Sequence, residues 1–206
     1  MPRRRRLLAA CLVLAGCRAE SRSPDSAAAP RDVSPATTNA PREVAAATTR
    51  SCGAPVIDAA GVGALRIGAS VDSVRAHCTV LRDTVERRAE GQPTRVLSVV
   101  VADDTGEAEV VDGRVWRITV EKPGLRTADS LSVGTSLARL LAAIPDARGD
   151  HGEGGVYVTT RRCMSFLLSD LPPGTRLGVG DAASLRRLPP STAVRKILVF
   201  GCRAPQ

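Results

Sequence analysis

Histidines and clustered carboxylates are the residues of this sequence that could perform acid–base chemistry or hold a metal ion. There are two histidines, His77 and His151. His77 stands beside Cys78 near the end of a predicted helix, where a histidine ordinarily has no chemical role. His151 stands in the stretch GDHGEGG with Asp150 and Glu153, which could hold a cation only if further ligands came from elsewhere in the fold. A glycine-rich turn between a helix and a strand explains the stretch without a metal.

Four carboxylates cluster in the stretch DDTGEAE, at positions 103, 104, 107 and 109. Paired acids can catalyse hydrolysis when burial separates their pKa values. These acids flank a glycine between apolar segments, so a solvated hairpin tip is the expected structure. Trp116 alternates with Ile118 and Val120, as a core residue would. With no nucleophile elbow and no phosphate loop in the sequence, we predict no catalytic residue, no metal site and no cofactor.

Cysteines point to disulfides and not to a metal. Four of the six follow residue 50, at Cys52, Cys78, Cys163 and Cys202, and none has the Cys-x-x-Cys or Cys-x-x-His spacing of a zinc site. An even number in an exported chain is typical of a disulfide framework, for which three pairings are possible. We favour Cys52 with Cys78 and Cys163 with Cys202, because each bridge then closes one half of the repeat described below.

The amino terminus, MPRRRRLLAACLVLAGC, has the features of a secretory signal peptide over residues 1–16. Its ten apolar or small residues would rise about 15 Å as a helix, roughly half the hydrocarbon thickness of a bilayer. Residues 14–17, LAGC, resemble the lipobox of bacterial lipoproteins, and this resemblance implies lipidation of Cys17 after cleavage. Two acyl chains suffice for stable anchoring. In such lipoproteins an Asp directly after the lipidated cysteine resembles an inner-membrane retention signal, but this chain has Arg18. We therefore expect a lipid-anchored protein of the cell envelope. It would lie at the outer membrane, where there is one, and face the periplasm or the surface.

After Cys17 the composition changes twice. Ala, Pro, Ser and Thr dominate residues 18–50, so residues 17–50 are predicted to be a lipidated cysteine and a disordered linker, and residues 51–206 a globular domain. The net charge of +8 includes four arginines of the signal peptide, and without them 25 basic residues face 21 acidic ones. With only four aromatic residues as well, the sequence does not indicate a nucleic-acid partner.

One motif occurs twice in the globular domain. LRIGASVDSVRAHC begins at residue 65 and LSVGTSLARLLAAI at residue 131, which aligns Gly68 with Gly134 and Ser70 with Ser136. Each copy predicts a short extended entry, a glycine turn and an amphipathic helix, capped by Ser70 in the first copy and by Thr135 or Ser136 in the second. The two repeats would span about 60–122 and 126–203.

Strand patterns follow each predicted helix. They are RVLSVVVADD, EAEVV and RVWRITVEK in the first repeat, and GGVYVTT, CMSFLLS and AVRKILVFGC in the second. The second repeat also carries an insertion with a short helix over residues 181–188. We therefore predict an α+β fold of two tandem α-β-β-β units, which form an antiparallel sheet with short helices packed on one face.

The doubled pattern, hydrophobic-x-hydrophobic-Gly-x-Ser followed by a helix, resembles the modules of the outer-membrane assembly lipoprotein BamE (SmpA family) and of β-lactamase inhibitor protein. No functional residue is carried over from either family. Antiparallel sheets often leave one face accessible to solvent. We expect a non-enzymatic envelope lipoprotein that acts in protein interaction or envelope assembly. The alternatives are a secreted hydrolase and, by the resemblance, an inhibitor of an envelope enzyme.

Overall fold

The structure is a computed structural model, and all of its described residues belong to one of the two compact units of the chain, Ala46–Gln206. The described residues are 52–88, 91–152, 154–169, 171–172, 174–175 and 177–202. The predicted signal peptide, Cys17 and the predicted linker lie outside them. Among the described helices, none is long and apolar enough to cross a membrane.

Twelve strands and three short helices make up the described part of the chain. In chain order they are β1 (Val56–Asp58), β2 (Gly61–Val62), β3 (Leu65–Arg66), α1 (Val71–His77), β4 (Thr79–Arg87), β5 (Pro93–Val101), β6 (Asp104–Val111), β7 (Arg114–Val120), β8 (Arg126–Thr127), α2 (Leu137–Ala143), β9 (Arg148–Gly152), β10 (Gly155–Thr159), β11 (Met164–Leu168), α3 (Ala182–Arg186) and β12 (Val194–Val199). An eight-stranded antiparallel sheet has the order β4-β5-β6-β7-β12-β11-β10-β9, and a small sheet has the order β3-β2-β1-β8.

The predicted α+β class is wrong, because the chain is mostly β. The helices have only five to seven residues, and four strands of the large sheet, not three, follow each of α1 and α2. The additional strands are β4 and β9, the two edges of the large sheet. Edge strands are often polar and charged, which discourages pairing with other chains. TVLRDTVER and RGDHG therefore lack the apolar alternation by which the inner strands are recognised.

The doubled motif has the same local structure in both places. Ser70 and Ser136 cap α1 and α2, with backbone φ/ψ of −70°/155° and −70°/152°. The Gly68 N–H donates to the Val115 carbonyl at 2.7 Å, and the Gly134 N–H donates to the Val194 carbonyl at 2.8 Å. Each motif is thus held against the start of the last strand of its own half. Both glycines have positive φ, which favours glycine at these turns.

One face of the large sheet carries the hydrophobic core. A row of core residues crosses five strands, with Leu97, Ala108, Ile118, Val199 and Met164 as successive partners. The buried faces of the helices and of the small sheet complete the same cluster, through Val71, Val74, Leu137, Leu140, Leu185, Ile57, Val62 and Leu65. The short helices exist because this packing holds them, since isolated helices of this length are not stable.

Both predicted disulfides are present. Cys52 bonds to Cys78, with the Cα atoms 4.3 Å apart, and Cys163 bonds to Cys202, with the Cα atoms 5.1 Å apart. The first joins the start of the described chain to the end of α1. The second ties the segment after β12 to the residue before β11, so each bridge lies within one half of the chain.

Candidate functional site

The two histidines lie in different elements, His77 in α1 and His151 in β9. His77 ends α1 on the surface, where its Nδ1 lies 2.9 Å from the Ser73 carbonyl oxygen. Asp150 and His151 are consecutive residues of β9, so their side chains point to opposite faces of the sheet. Glu153 lies outside the described residues. No group of three or more His, Cys, Asp or Glu side chains that could hold a metal occurs in the described part of the chain.

Of the four acids in the carboxylate cluster, Asp103 lies at the solvated hairpin tip that the sequence predicts, in the exposed turn between β5 and β6. The other three belong to β6, a strand in the middle of the large sheet. Asp104 Oδ2 accepts a hydrogen bond from the Gly124 N–H at 3.0 Å. Glu107 is half-buried and Glu109 is only 5% exposed. Sequence alternation could not reveal this burial, because the residues that cover Glu109 come from other strands.

Trp116 is not a core residue, because a β-bulge changes its orientation. Glu109 pairs with Arg117 and Val110 with Val115, which leaves Trp116 as an extra residue of β7. The bulge lets Val115 and Ile118 both face the core, although they are three residues apart, and leaves Trp116 40% exposed. The alternation assumed from the sequence therefore fails at this residue.

The last strand of the second half has a bulge at the equivalent place. Leu167 pairs with Lys196 and Leu168 with Val194, so Arg195 is the extra residue of β12. Trp116 with Arg117, and Arg195 with Lys196, are the same positions of the two halves. Bulges often reorient side chains next to functional sites. Here they bring Arg117 and Lys196 onto the face of the sheet opposite the core, which we call the open face.

A row of mainly polar residues crosses the open face, one from each strand. In sheet order they are Arg82, Ser98, Glu107, Thr119, Leu198, Ser165, Thr159 and Arg148. Thr119 and Ser165 are nearly inaccessible to solvent, at 4% and 6% exposure. In the described part of the chain, the buried side-chain nitrogen or oxygen atom without a hydrogen-bond partner is Arg88 Nε, so neither of these two hydroxyls is both buried and unpartnered.

A cleft of about 590 Å³ lies over the middle of this row. It is lined by Arg87, Arg88, Glu109, Arg117, Thr119, Gly152, Tyr157, Ser165, Lys196 and Leu198. In a flat sheet, β4 and β10 would be separated by six strand spacings, or roughly 29 Å. Residues next to both nevertheless line one cavity, so the large sheet is rolled around its open face. The rolling explains how side chains on this face become buried although no helix covers them.

Ion pairs neutralise most of the charge around the cleft. Arg117 donates through Nε and Nη2 to Glu109 Oε1, at 3.1 and 2.5 Å. Lys196 Nζ lies 2.5 Å from Glu121 Oε1. Arg88 Nη2 lies 2.9 Å from carboxylate oxygens of both Glu86 and Glu107, which also pair with Arg82. Three of the four cations that line the cleft, Arg117, Lys196 and Arg88, therefore have carboxylate partners, and the fourth, Arg87, donates to the Gly91 carbonyl.

Arg88 shows how these pairs act. Burial alone would lower its pKa, but the hydrogen bond to Glu107 and the charges of Glu107, Glu86 and Glu109 outweigh burial and raise the pKa above its ordinary value. Its guanidinium therefore stays charged. Its Nε is buried and without a hydrogen-bond partner among the described residues, and no solvent reaches that atom.

An apolar groove of about 560 Å³ adjoins the cleft and shares Arg117 and Leu198 with it. Trp116, Cys163, Phe200 and Gly201 complete its lining. Phe200 is 36% exposed. Of the four aromatic residues in the chain, Phe166 lies in the core, whereas Trp116 and Phe200 line the groove and Tyr157 lines the cleft. This concentration of rare residues marks the open face as the candidate functional surface.

Sequence reasoning did not find this surface. Its members come from strands far apart in the chain, and their register depends on two bulges that no local pattern indicates. One signal was available, because Trp116–Arg117 and Arg195–Lys196 lie at the same place in the two repeats, between matching apolar residues.

Comparison with known proteins adds little. No protein-family model and no curated protein matches the chain. Among solved structures, the chain is similar to the uncharacterized protein YfeY from Escherichia coli, at 16% identity and a TM-score of 0.47, over 74% of this chain and 99% of that chain. Since YfeY is itself uncharacterized, the similarity brings no activity and no partner to this chain.

Proposed function

We propose that the protein is a non-enzymatic, lipid-anchored binding protein of the cell envelope, which holds another envelope protein at the open face of its large sheet. The lipobox-like residues 14–17 and Cys17 support the anchor, and the composition of residues 18–50 supports a tether. A flexible tether of that length would reach roughly 30 Å, enough to place the domain near a membrane-bound partner.

The observation that carries the proposal is the groove with Trp116 and Phe200 in its lining. Aromatic residues dominate the binding energy of protein interfaces, and they do so where a partner's side chain fills a pocket beside them. The groove fits an apolar side chain of a partner protein. It suits direct insertion into a bilayer less well, because the two rings line a recess.

Site-specific photo-crosslinking in cells tests this function. A photoreactive residue in place of Trp116 or Phe200 should crosslink one defined envelope protein. The matched control is Leu81, an apolar residue of β4 that is 61% exposed and does not line the groove. Purified partner should then bind the wild-type domain at least about 30-fold more tightly than the Trp116→Ala variant, which is the size of an interface hot spot.

Three outcomes would contradict the proposal. They are adducts to lipid alone, the same protein adducts from Leu81, and unchanged affinity of Trp116→Ala for the crosslinked protein. An envelope hydrolase as the crosslinked protein would favour an inhibitor. Because Trp116 is exposed, its replacement should leave the free energy of unfolding within about 1 kcal/mol of wild type, whereas Phe166→Ala in the core should cost about 3–5 kcal/mol.

A further inference from the structure

The cleft beside the groove has a chemistry of its own. Its lining includes two hydroxyl-bearing residues that are almost fully buried, Thr119 and Ser165, and also Tyr157. Its volume of about 590 Å³ is within the usual range of small-molecule sites, roughly 300–1,000 Å³. Because a hydroxyl both donates and accepts, the two can hydrogen-bond to hydroxyl groups of a ligand as well as to an anion.

Charge decides between these two ligand classes. Three of the four cations that line the cleft, Arg117, Lys196 and Arg88, are already paired with glutamates and offer an incoming anion little uncompensated positive charge. The fourth, Arg87, is exposed at the end of β4 and donates to the Gly91 carbonyl. Glu109 uses only Oε1 to accept from Arg117, so its second oxygen can accept from a ligand. An ion pair of this kind presents donors and acceptors side by side, which matches neighbouring hydroxyl groups on a sugar ring. A free carboxylate or phosphate would meet the negative charge of Glu109.

We infer that the cleft binds an uncharged polyhydroxyl ligand, a saccharide unit of a glycan. Thr119, Ser165, Arg117 and Glu109 hydrogen-bond to its hydroxyl groups, and Tyr157 offers a ring face to its C–H groups. The site adjoins the groove of the proposed function but is distinct from it, so one may exist without the other.

The test uses the full folded domain and three soluble probes, maltotriose, cellotriose and chitotriose, with acetate and inorganic phosphate as anionic comparisons. NMR titration should show at least one trisaccharide that shifts the signals of Thr119, Ser165 and the Arg117 side chain. The affinity should change little between low and high salt, because screening acts on charged ligands.

Thr119→Val with Ser165→Ala removes both hydroxyls at almost constant shape. This variant should bind the saccharide at least about tenfold more weakly, as expected for two lost hydrogen bonds. The matched control is the double variant Ser98→Ala with Thr105→Val. It removes the hydroxyl of Ser98, which belongs to the same polar row, and the hydroxyl of Thr105 on the adjacent strand β6, and neither residue lines the cleft.

Several results would overturn the inference. They are the absence of shifts at the cleft with all three trisaccharides, equal weakening by the control variant, and stronger, salt-sensitive binding of phosphate or acetate at the same residues. None of these results bears on crosslinking from Trp116. Conversely, loss of the crosslink with retained saccharide binding would contradict the proposed function alone.

Discussion

Thr119 and Leu198 lie directly opposite each other where β7 pairs with β12, and they are the same position in the two halves of the chain. Ile118 pairs with Val199, and Val120 pairs with Ile197. Since Ile118 is equivalent to Ile197 and Val120 to Val199, exchanging the two halves converts one pair into the other. A self-complementary contact of this kind is characteristic of a two-fold dimer. The large sheet is therefore organised as an internal pseudo-dimer, with the cleft and the groove close to its central seam.

Equivalent caps should make equivalent contributions to stability. The Ser73 N–H donates to Ser70 Oγ at 3.1 Å, and the Arg139 N–H donates to Ser136 Oγ at 3.3 Å. Ser70→Ala and Ser136→Ala should each lower the free energy of unfolding by about 1 kcal/mol in urea titrations, because each orphans one helix N–H. Ser73→Ala, on the exposed side of α1, is the control and should be neutral or slightly stabilising. Unequal losses at the two caps would show that the halves are not energetically equivalent.

The pH dependence of stability should have a contribution from Asp83. Its carboxylate accepts hydrogen bonds from Arg95 at 2.9 and 2.7 Å and from Arg75 at 2.5 Å. The hydrogen bond to Arg95 acts most strongly and, with the charges of both arginines, outweighs burial and lowers the pKa of Asp83 below its ordinary value of 3.8.

Since the folded pKa is below the unfolded one, this contribution is complete above about pH 4 and is lost as the pH falls through the folded pKa. Asp83→Asn should therefore lower the free energy of unfolding at pH 7, and its difference from wild type should shrink as the pH falls below about 4. Urea titrations at several pH values measure this. Parallel wild-type and variant profiles over that range would contradict the assignment.

The two disulfides should differ in their effect on the groove. Cys163 lines the groove, and its bond to Cys202 holds Phe200 and Gly201 in place, whereas Cys52–Cys78 is not part of the lining. Replacing either pair by alanine should cost about 3.5–4 kcal/mol in the chain-entropy estimate for loops of these lengths.

Trp116 is the one tryptophan of the chain, so its fluorescence reports on the groove. Emission should shift to the red and become easier to quench with acrylamide in Cys163→Ala/Cys202→Ala, under conditions where both variants remain folded. Cys52→Ala/Cys78→Ala is the control of similar stability and should keep wild-type emission. The same shift in both variants would mean that lost stability, and not the groove wall, changes the environment of Trp116.

Local features of the fold were predictable from the sequence, and features that depend on distant strands were not. The glycine turns, the serine caps at Ser70 and Ser136 and both disulfides follow from residues close in the chain or from the logic of the repeat. The fold class was mispredicted because β4 and β9 are polar edge strands. Such strands can be recognised only after the inner strands beside them have been placed.

The candidate site was missed for a related reason. Trp116 alternates with apolar neighbours in the sequence, and only the extra residue that the β6–β7 ladder accommodates turns it outward. The burial of Glu109 likewise depends on the rolling of an eight-stranded sheet. Neither a bulge nor a rolled sheet leaves a local periodic pattern.

The Glu109–Arg117 pair provides a test of how the open face is built. The equivalent positions in the second half are Leu167 and Lys196, so the same place in the fold accommodates an apolar residue where Glu109 stands. Removing one partner of a buried pair leaves the other without compensation, whereas replacing both by apolar residues is often nearly neutral. Glu109→Gln should thus lower the free energy of unfolding by about 2 kcal/mol, less than for a fully buried pair because Arg117 is partly exposed.

The double variant Glu109→Leu/Arg117→Met should recover to within about 1 kcal/mol of wild type, and a double-mutant cycle in urea would measure the coupling. Such a variant would be folded but would lack two polar groups of the cleft, so it should no longer bind the saccharide probes. If the double variant instead shows the sum of the two single losses, the coupling energy is zero and each residue contributes to stability independently of the other. The charge on the open face would then have a structural role that its counterpart at Leu167 does not share.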